Sequence, residues 1–189
     1  MRIISGSFKG RKIAEPNSRN TRPLKDLTKE SIFNILQHSN LIDFSFEKSE
    51  ILDVFSGVGS FGLECISRGA KNVIFCENYP ETLKILKKNI YNLNCDKKAQ
   101  IITKNIFEIK NLSKLQKKKF GVIFLDPPYK EKKLTNLLND IIYLKLLKKK
   151  GVIILHRHKK EKELYPEKFK ILKIKIYGIS KIIFGLISQ

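Results

Sequence analysis

From Ile51 onward, short apolar runs alternate with amphipathic stretches, and the runs predict strands at Ile51–Phe55, Asn72–Cys76, Gln100–Thr103, Val122–Leu125, Val152–Leu155, Ile171–Ile176 and Lys181–Leu186. Most intervals between them suit a helix, and strand–helix alternation is the pattern of βαβ units on a parallel sheet. Ser60 is placed to cap a helix that stops at Gly69, and Pro80 suits the first turn of another that buries Leu83, Leu86, Ile90 and Leu93 while Lys84, Lys87 and Lys88 face water. Only Tyr177–Ser180 joins the last two strands, too little for a parallel crossover, so they form an antiparallel hairpin. Before Ile51 the pattern differs. Arg2–Ile13 alternates around Gly6 and Gly10 like a short hairpin, and Glu15–Leu24 is a proline-bearing loop. From Asp26, an N-cap, to His38 the residues Ile32, Phe33, Ile35 and Leu36 fall at helical spacing, and residues 39–50 form a connector. The expected organisation is an N-terminal extension over 1–50 and an α/β domain over 51–189, with a seven-stranded, mostly parallel sheet ending in the hairpin.

Composition narrows the class. The chain has 189 residues, 42% of them hydrophobic, which suffices for one core and excludes wholesale disorder. The longest apolar runs, such as Val152–Leu155 and Ile182–Phe184, are far short of the roughly 20 residues of a membrane span. The start Met1–Gly6 lacks a secretory signal, so the expected location is the cytoplasm. Cys65, Cys76 and Cys95, spaced 11 and 19 apart, form neither a disulfide framework nor a paired zinc-ligand pattern. His38, His156 and His158 are scattered and read as structural or surface residues, and no metal site is expected. The net charge of +20 points to a polyanionic partner. Lysine runs at 117–119 and 148–150 read as solvated faces. The arginines are more informative, because of six in the chain four (Arg2, Arg11, Arg19, Arg22) lie within the first 22 residues. Guanidinium groups bind phosphate bidentately and stack on bases, which favours a nucleic-acid contact there.

The chemistry gathers where strands end. Asp53-Val54-Phe55-Ser56-Gly57-Val58-Gly59-Ser60-Phe61-Gly62 contains G-x-G-x-x-G between the first strand and a helix, where glycines let a nucleotide approach the backbone. Glu77, after the second strand, can accept from ribose hydroxyls. Up to this point a dinucleotide fits equally well. Asp53, four residues before Gly57, would repel a pyrophosphate and welcome a cationic amino-acid group, as S-adenosylmethionine carries. Asp126-Pro127-Pro128-Tyr129 follows the apolar strand Val122–Leu125 and joins an acceptor-only carboxylate, two residues without amide donors and a ring that can stack, a set able to hold a planar base by its exocyclic amine.

Together these residues resemble the class I S-adenosylmethionine-dependent methyltransferases acting on amino groups, whose signature at this strand is (D/N)-P-P-(Y/F). The whole chain is more closely similar to the bacterial 16S rRNA guanine-N2 methyltransferase D family. The resemblance runs through Arg2–Gly6 with Lys9-Gly10-Arg11-Lys12, Arg22-Pro23, Glu30–Leu36, Leu52–Gly59, Ser67–Ala70, Glu77 and Phe124–Tyr129. It departs at Leu24 and Lys29, where the family usually has Thr and Arg, and at Asn105, where an acid usually accepts from the adenine amine.

The resemblance implies a Rossmann-like methyltransferase acting on one guanine of small-subunit RNA, within an assembled or assembling subunit. Asp53, Phe55, Gly57 and Gly59 would hold the methionine end of S-adenosylmethionine, Glu77 its ribose, and Asn105 with Ile106 its adenine. Asp126 and the Pro127 carbonyl would accept from the guanine amine, and Tyr129 would stack on the extruded base. Arg2, Lys9, Arg11, Lys12, Arg22 and Pro128 would meet the RNA, and the enzyme is expected to be a monomer. Three rivals stand beside this: an amino-methyltransferase on adenine N6 or a protein glutamine, a nicotinamide-dependent oxidoreductase resting on G-x-G-x-x-G alone, and a nonenzymatic RNA-binding assembly factor.

Overall fold

A computed structural model describes residues 1–16, 26–128 and 131–188. The elements are α1 (Asp26–His38), β1 (Glu50–Val54), α2 (Ser60–Ser67), β2 (Asn72–Cys76), α3 (Pro80–Asn92), β3 (Ala99–Ile102), α4 (Ile109–Leu112), β4 (Phe120–Leu125), α5 (Leu134–Tyr143), β5 (Leu147–His158), β6 (Phe169–Tyr177) and β7 (Ser180–Ile187). All seven predicted strands are present, and they lie in one sheet in the order β3-β2-β1-β4-β5-β7-β6. β1 to β5 pair in parallel, while β7 runs antiparallel to both β5 and β6, so the predicted closing hairpin is there. This is the Rossmann-like class I methyltransferase architecture. Strand order reverses between β1 and β4, and ligands of such sheets lie outside the strand ends at that point.

Several details differ from the sequence reading. β5 begins at Leu147 rather than Val152, because Lys148–Lys150 continue the strand with their side chains exposed, which hides them from a search for apolar runs. Ser60 does not cap α2: Gly59 occupies the cap position with φ 87°, and Ser60 is the first helical residue. Gly69 lies just past the C-cap with φ 102°, as expected of a residue ending a helix. Along α3, Thr82 and Asn89 are buried together with Leu86 and Ile90, while Leu83 is only half-buried.

Helices cover both faces of the sheet. On one face Phe61 of α2, Leu86 of α3 and Phe33 of α1 pack over Ile51, Phe75, Phe124 and Ile154; on the other Leu112, Leu137 and Ile141 pack over Leu52, Ile123 and Ile153. The first of these clusters also takes in Ile3, Ile13, Ile32 and Leu36, so the N-terminal residues and α1 share the core of the sheet. A ring stack ties them to it: Phe33 lies 5.2 Å from Phe61, and Phe61 lies 4.1 Å from Phe124 of β4.

The chain from Arg2 to Ile13 does turn back on itself, with an antiparallel bridge between Arg2 and Lys12 and the Ile3 amide donating to the Arg11 carbonyl at 3.0 Å. Its hydrogen bonds to the rest of the fold include several to α2. The Ile4 and Ser5 amides donate to Oε2 and Oε1 of buried Glu64 at 2.7 and 3.0 Å, and the Ser7 amide donates to the Ser67 carbonyl at 2.8 Å. Gly6 is required at this crossing, since its φ is +82° and a Cβ would stand 1.9 Å from the Ser67 carbonyl oxygen. Among the described residues no helix is long and apolar enough to cross a membrane. The three cysteines are unbridged and buried, and burial raises all three thiols, Cys95 to about 11.

Candidate active site

The carboxyl ends of β1, β2, β3 and β4 are tied together just where the predicted residues emerge. The Ser56 amide donates to the Cys76 carbonyl at 3.0 Å, Glu77 to Ile102 at 3.1 Å and Asp126 to Val54 at 3.3 Å. The turn after β1 is tight: Phe55, a non-glycine residue, has φ 62°, and Gly57 and Gly59 have φ 54° and 87°. The three glycines of the motif do different work. A Cβ on Gly57 would meet open space, one on Gly59 would stand 2.6 Å from Leu86, and one on Gly62 would stand 2.3 Å from the Phe75 ring. Gly57 thus faces open space, whereas Gly59 and Gly62 let α2 close onto α3 and β2.

Two carboxylates hold this turn. Asp53 is 1% exposed, and its Oδ2 accepts from the Gly62 amide at 2.9 Å. Its Oδ1 is buried without a partner. Burial raises the Asp53 carboxyl well above the usual range; the Gly62 amide opposes this, and repulsion from Asp126 and Glu77 adds to it. Glu77 links the turn to the next loop, with Oε2 accepting from the Gly57 amide at 2.9 Å and Oε1 from the Tyr79 amide at 2.7 Å. Each oxygen retains a lone pair for a ribose hydroxyl. After β3, Asn105 is exposed and its Oδ1 accepts from the Phe107 amide at 3.1 Å, so an adenine amine would share that oxygen. Ile106 is buried. Sequence reading missed Phe107, whose ring lies 5.3 Å from that of Phe55 and extends the apolar wall at this edge.

At the end of β4, Asp126 is half-buried, Pro127 buried and Pro128 exposed, while Tyr129 lies outside the described residues. The neighbouring strand supplies two residues that were not foreseen. His156 is 3% exposed, with Nδ1 2.9 Å from Asp126 Oδ1 and Nε2 3.0 Å from Ser180 Oγ. Arg157 is 1% exposed and donates from Nη1 to the Pro128 and Pro127 carbonyls at 3.1 and 3.4 Å and from Nη2 to the Glu131 carbonyl at 3.2 Å. Its Nε pairs with Glu163. The signal available in the sequence was position alone, a histidine and an arginine closing the apolar strand that follows the D-P-P-Y strand.

The basic residues at the N-terminus separate into two groups. Arg2 and Lys12 are paired by the bridge, near the start of α2, where buried Lys29 donates from Nζ to the Arg2 carbonyl and lies 3.4 Å from Ser60 Oγ. Lys9 lies in the tip that packs on Ser67, and Arg11 donates to the Asn92 carbonyl, so both stand by the C-terminal ends of α2 and α3, away from the strand ends that carry Asp126. Arg22 lies outside the described residues. Lys29 is enclosed by Glu64 and Asp26 at 3.9 and 3.8 Å. Burial lowers its pKa, and the two carboxylates oppose that.

These groups fit S-adenosylmethionine. The orphaned Asp53 Oδ1 lacks a donor that a cationic amino group would supply, Gly57 leaves room for one, and Glu77 and the Phe55–Phe107 wall suit a nucleoside.

Comparison with known proteins agrees. The family described as Conserved hypothetical protein 95 matches residues 1–185. A Bacillus subtilis protein provisionally named as an rRNA methyltransferase, YlbH, is 38% identical over 167 residues, covering 88% of this chain and 86% of that one. Ribosomal RNA small subunit methyltransferase D of Haemophilus influenzae is 34% identical over 180 residues, 95% of this chain and 90% of that one. The crystal structure of a provisionally named methylase from Haemophilus influenzae superposes with a TM-score of 0.74 at 30% identity, over 97% of this chain and 96% of that one. A more distant methyltransferase solved with SAH shares the fold, with a TM-score of 0.64 at 15% identity over 85% of this chain and 50% of that one. The chain is an S-adenosylmethionine-dependent methyltransferase by fold and kinship, and it belongs to the Conserved hypothetical protein 95 family together with the ribosomal RNA small subunit methyltransferases D.

Proposed function

We propose that this protein methylates the exocyclic N2 amine of one guanine in 16S ribosomal RNA, in the cytoplasm, on an assembled or assembling small subunit. The observation that carries this reading is the pair of acceptors at the end of β4. Asp126 Oδ1 is engaged by His156 and Oδ2 has no partner among the described residues, while the Pro127 carbonyl that follows accepts from Arg157 at 3.4 Å and keeps a second lone pair. A primary amine has two hydrogens to donate, and two acceptors aligned side by side orient its lone pair along one direction. Asp53, Gly57, Glu77, Phe55, Asn105 and Ile106 would hold S-adenosylmethionine, which when bound supplies an activated methyl group on its sulfonium. The chain's own task is to align the amine and to steady positive charge developing on nitrogen, which the Asp126 carboxylate does electrostatically. The departing proton passes from the amine toward Asp126. Tyr129 is assigned to stack on the extruded base, and Arg2, Lys12 and exposed Pro128 to meet RNA near the strand ends. Lys9, Arg11 and Arg22 would contact more distant backbone, and the first 50 residues would act as the RNA-contacting segment of a monomer.

The experiment is transfer of tritium from labelled S-adenosylmethionine to small subunits, naked 16S RNA, DNA and a glutamine-bearing protein substrate in parallel, followed by digestion to nucleosides or amino acids. Label in N2-methylguanosine, lost in Asp126→Ala with cofactor binding intact, is the expected result. Label in N6-methyladenosine or methylglutamine would move the acceptor, and a fully active Asp126→Ala would remove the assignment of that residue.

A further inference from the structure

Leu125 of β4 pairs with Leu155 of β5, so the next residues, Asp126 and His156, stand side by side on one face of the sheet. β7 runs back along β5 and brings Ser180 opposite His158, within reach of the same imidazole. The result is a buried line from Ser180 Oγ to His156 Nε2 at 3.0 Å and from His156 Nδ1 to Asp126 Oδ1 at 2.9 Å. An ionised carboxylate only accepts, so the proton on this side of the ring resides on Nδ1. The χ2 torsion of an aspartate is soft. A carboxylate at the mouth of the sheet would therefore swing unless one oxygen is held.

We infer that His156 is a positioning residue for methyl transfer: Ser180 holds the imidazole, the imidazole holds Asp126 Oδ1, and Oδ2 is thereby left in a fixed place for the acceptor amine. The inference rests on the reading of Asp126 as the residue that meets the substrate. His156 is 3% exposed, so its role is assigned through Asp126 rather than on the substrate itself. Misplacing a reacting group by about 1 Å costs on the order of 100-fold, and that is the scale expected when the ring is lost.

The test compares His156→Leu with His156→Asn, because the Asn side-chain amide can place a donor where Nδ1 stands and Leu cannot. In His156→Leu, kcat falls by about 100-fold while the KM for RNA and the cofactor Kd stay within about twofold of wild type. His156→Asn recovers about tenfold of that loss, and in an Asp126→Asn background His156→Leu has no further effect. A second measurement needs no acceptor: ¹⁵N spectra of the labelled histidines place a proton on Nδ1 of His156, and Ser180→Ala and Asp126→Asn each shift that ring's resonances while leaving His38 unmoved. A ring bearing its only proton on Nε2, or a His156→Leu enzyme within twofold of wild type in kcat, would overturn the inference. So would equal losses in Leu and Asn, the pattern of a side chain that merely fills space. Absence of N2-methylguanosine from the wild-type digest would overturn the acceptor reading alone, since the ring spectra are obtained without substrate.

Discussion

Glu64 is the single side chain on which the N-terminal segment most depends, and replacing it with glutamine isolates that dependence. Both its side chain and that of Lys29 are 0% exposed. Its carboxylate accepts from the Ile4 amide at 2.7 Å, the Ser5 amide at 3.0 Å and Arg68 Nε at 2.8 Å, with Lys29 Nζ at 3.9 Å. A glutamine of equal size keeps one acceptor oxygen. If that oxygen serves Ser5 and Arg68, the amide NH2 faces the Ile4 N–H and the Lys29 ammonium, donor against donor. An orphaned buried N–H costs about 1–3 kcal/mol, and breaking a buried ion pair from one side about 3–5 kcal/mol. Asp26 still faces Lys29 at 3.8 Å, which favours the lower part of that range. A loss of about 3–5 kcal/mol in a chain of this size lowers Tm by roughly 6–20 °C. Circular dichroism melts give the size of the loss, and amide hydrogen exchange gives its place: Ile4, Ser5, Ser7 and Phe8 lose protection before α5 or β4 does. Adding Lys29→Met should recover part of the stability, because it removes the stranded charge. A Tm within 2 °C of wild type, or a loss of protection spread evenly over the sheet, would refute this account of how the segment is held.

Gly6→Ala and Gly10→Ala form a matched pair, because both have φ +82° but only Gly6 meets a neighbour, the Ser67 carbonyl oxygen at 1.9 Å; thermal melts should show about 1–2 kcal/mol lost at Gly10 and clearly more at Gly6. Asp53→Asn should melt above wild type at pH 7 and together with it below about pH 4: the folded carboxyl titrates well above its unfolded value, so wild-type stability declines as pH rises between the two, and the neutral amide avoids that decline. The same variant should bind S-adenosylmethionine at least tenfold more weakly by calorimetry, and unchanged affinity would detach Asp53 from the cofactor. Arg157→Lys should lower kcat without preventing folding, because one ammonium cannot reach the Pro128 and Glu131 carbonyls and Glu163 together; protease nicking near Glu131 should rise in step.

The sheet was legible because its buried strands are written as uninterrupted apolar runs, and the closing hairpin because Tyr177–Ser180 is too short for anything else. Legibility failed where an element is held by something other than its own apolar residues. The lysines that open β5 lie where its register against β4 shifts between Phe120–Leu147 and Val122–Val152, with Lys150 at φ 63°, and the cap of α2 passed from Ser60 to a left-handed Gly59. In the candidate site, the residues proposed from sequence are those that carry a local motif. His156, Arg157 and Ser180 have no motif, because their meaning comes from pairings across strands: Asp126 and His156 are 30 residues apart, and Ser180 is a further 24 from His156. Lys29 was visible only as a departure from an arginine, and its burial between Glu64 and Asp26 is a tertiary fact.

The end of β5 shows what strand alternation does for the turn after β4. Successive residues of a strand point to opposite faces, so one dipeptide can address two sides of the neighbouring strand's last turn. His156 takes the face it shares with Asp126 and engages the side chain, while Arg157 takes the other and engages the Pro127, Pro128 and Glu131 carbonyls. Two prolines remove the amide donors that would otherwise compete for the acceptors, and they leave a loop with few hydrogen bonds of its own to give. Such a loop must be shaped from outside. A buried arginine, with its fixed planar fork, reaches several carbonyls at once in a way a lysine cannot. If Asp126 and the Pro127 carbonyl hold the substrate amine as proposed, the turn that presents them depends on the His156–Arg157 pair beside it, and mutation of either should uncouple catalysis from cofactor binding more than it unfolds the sheet.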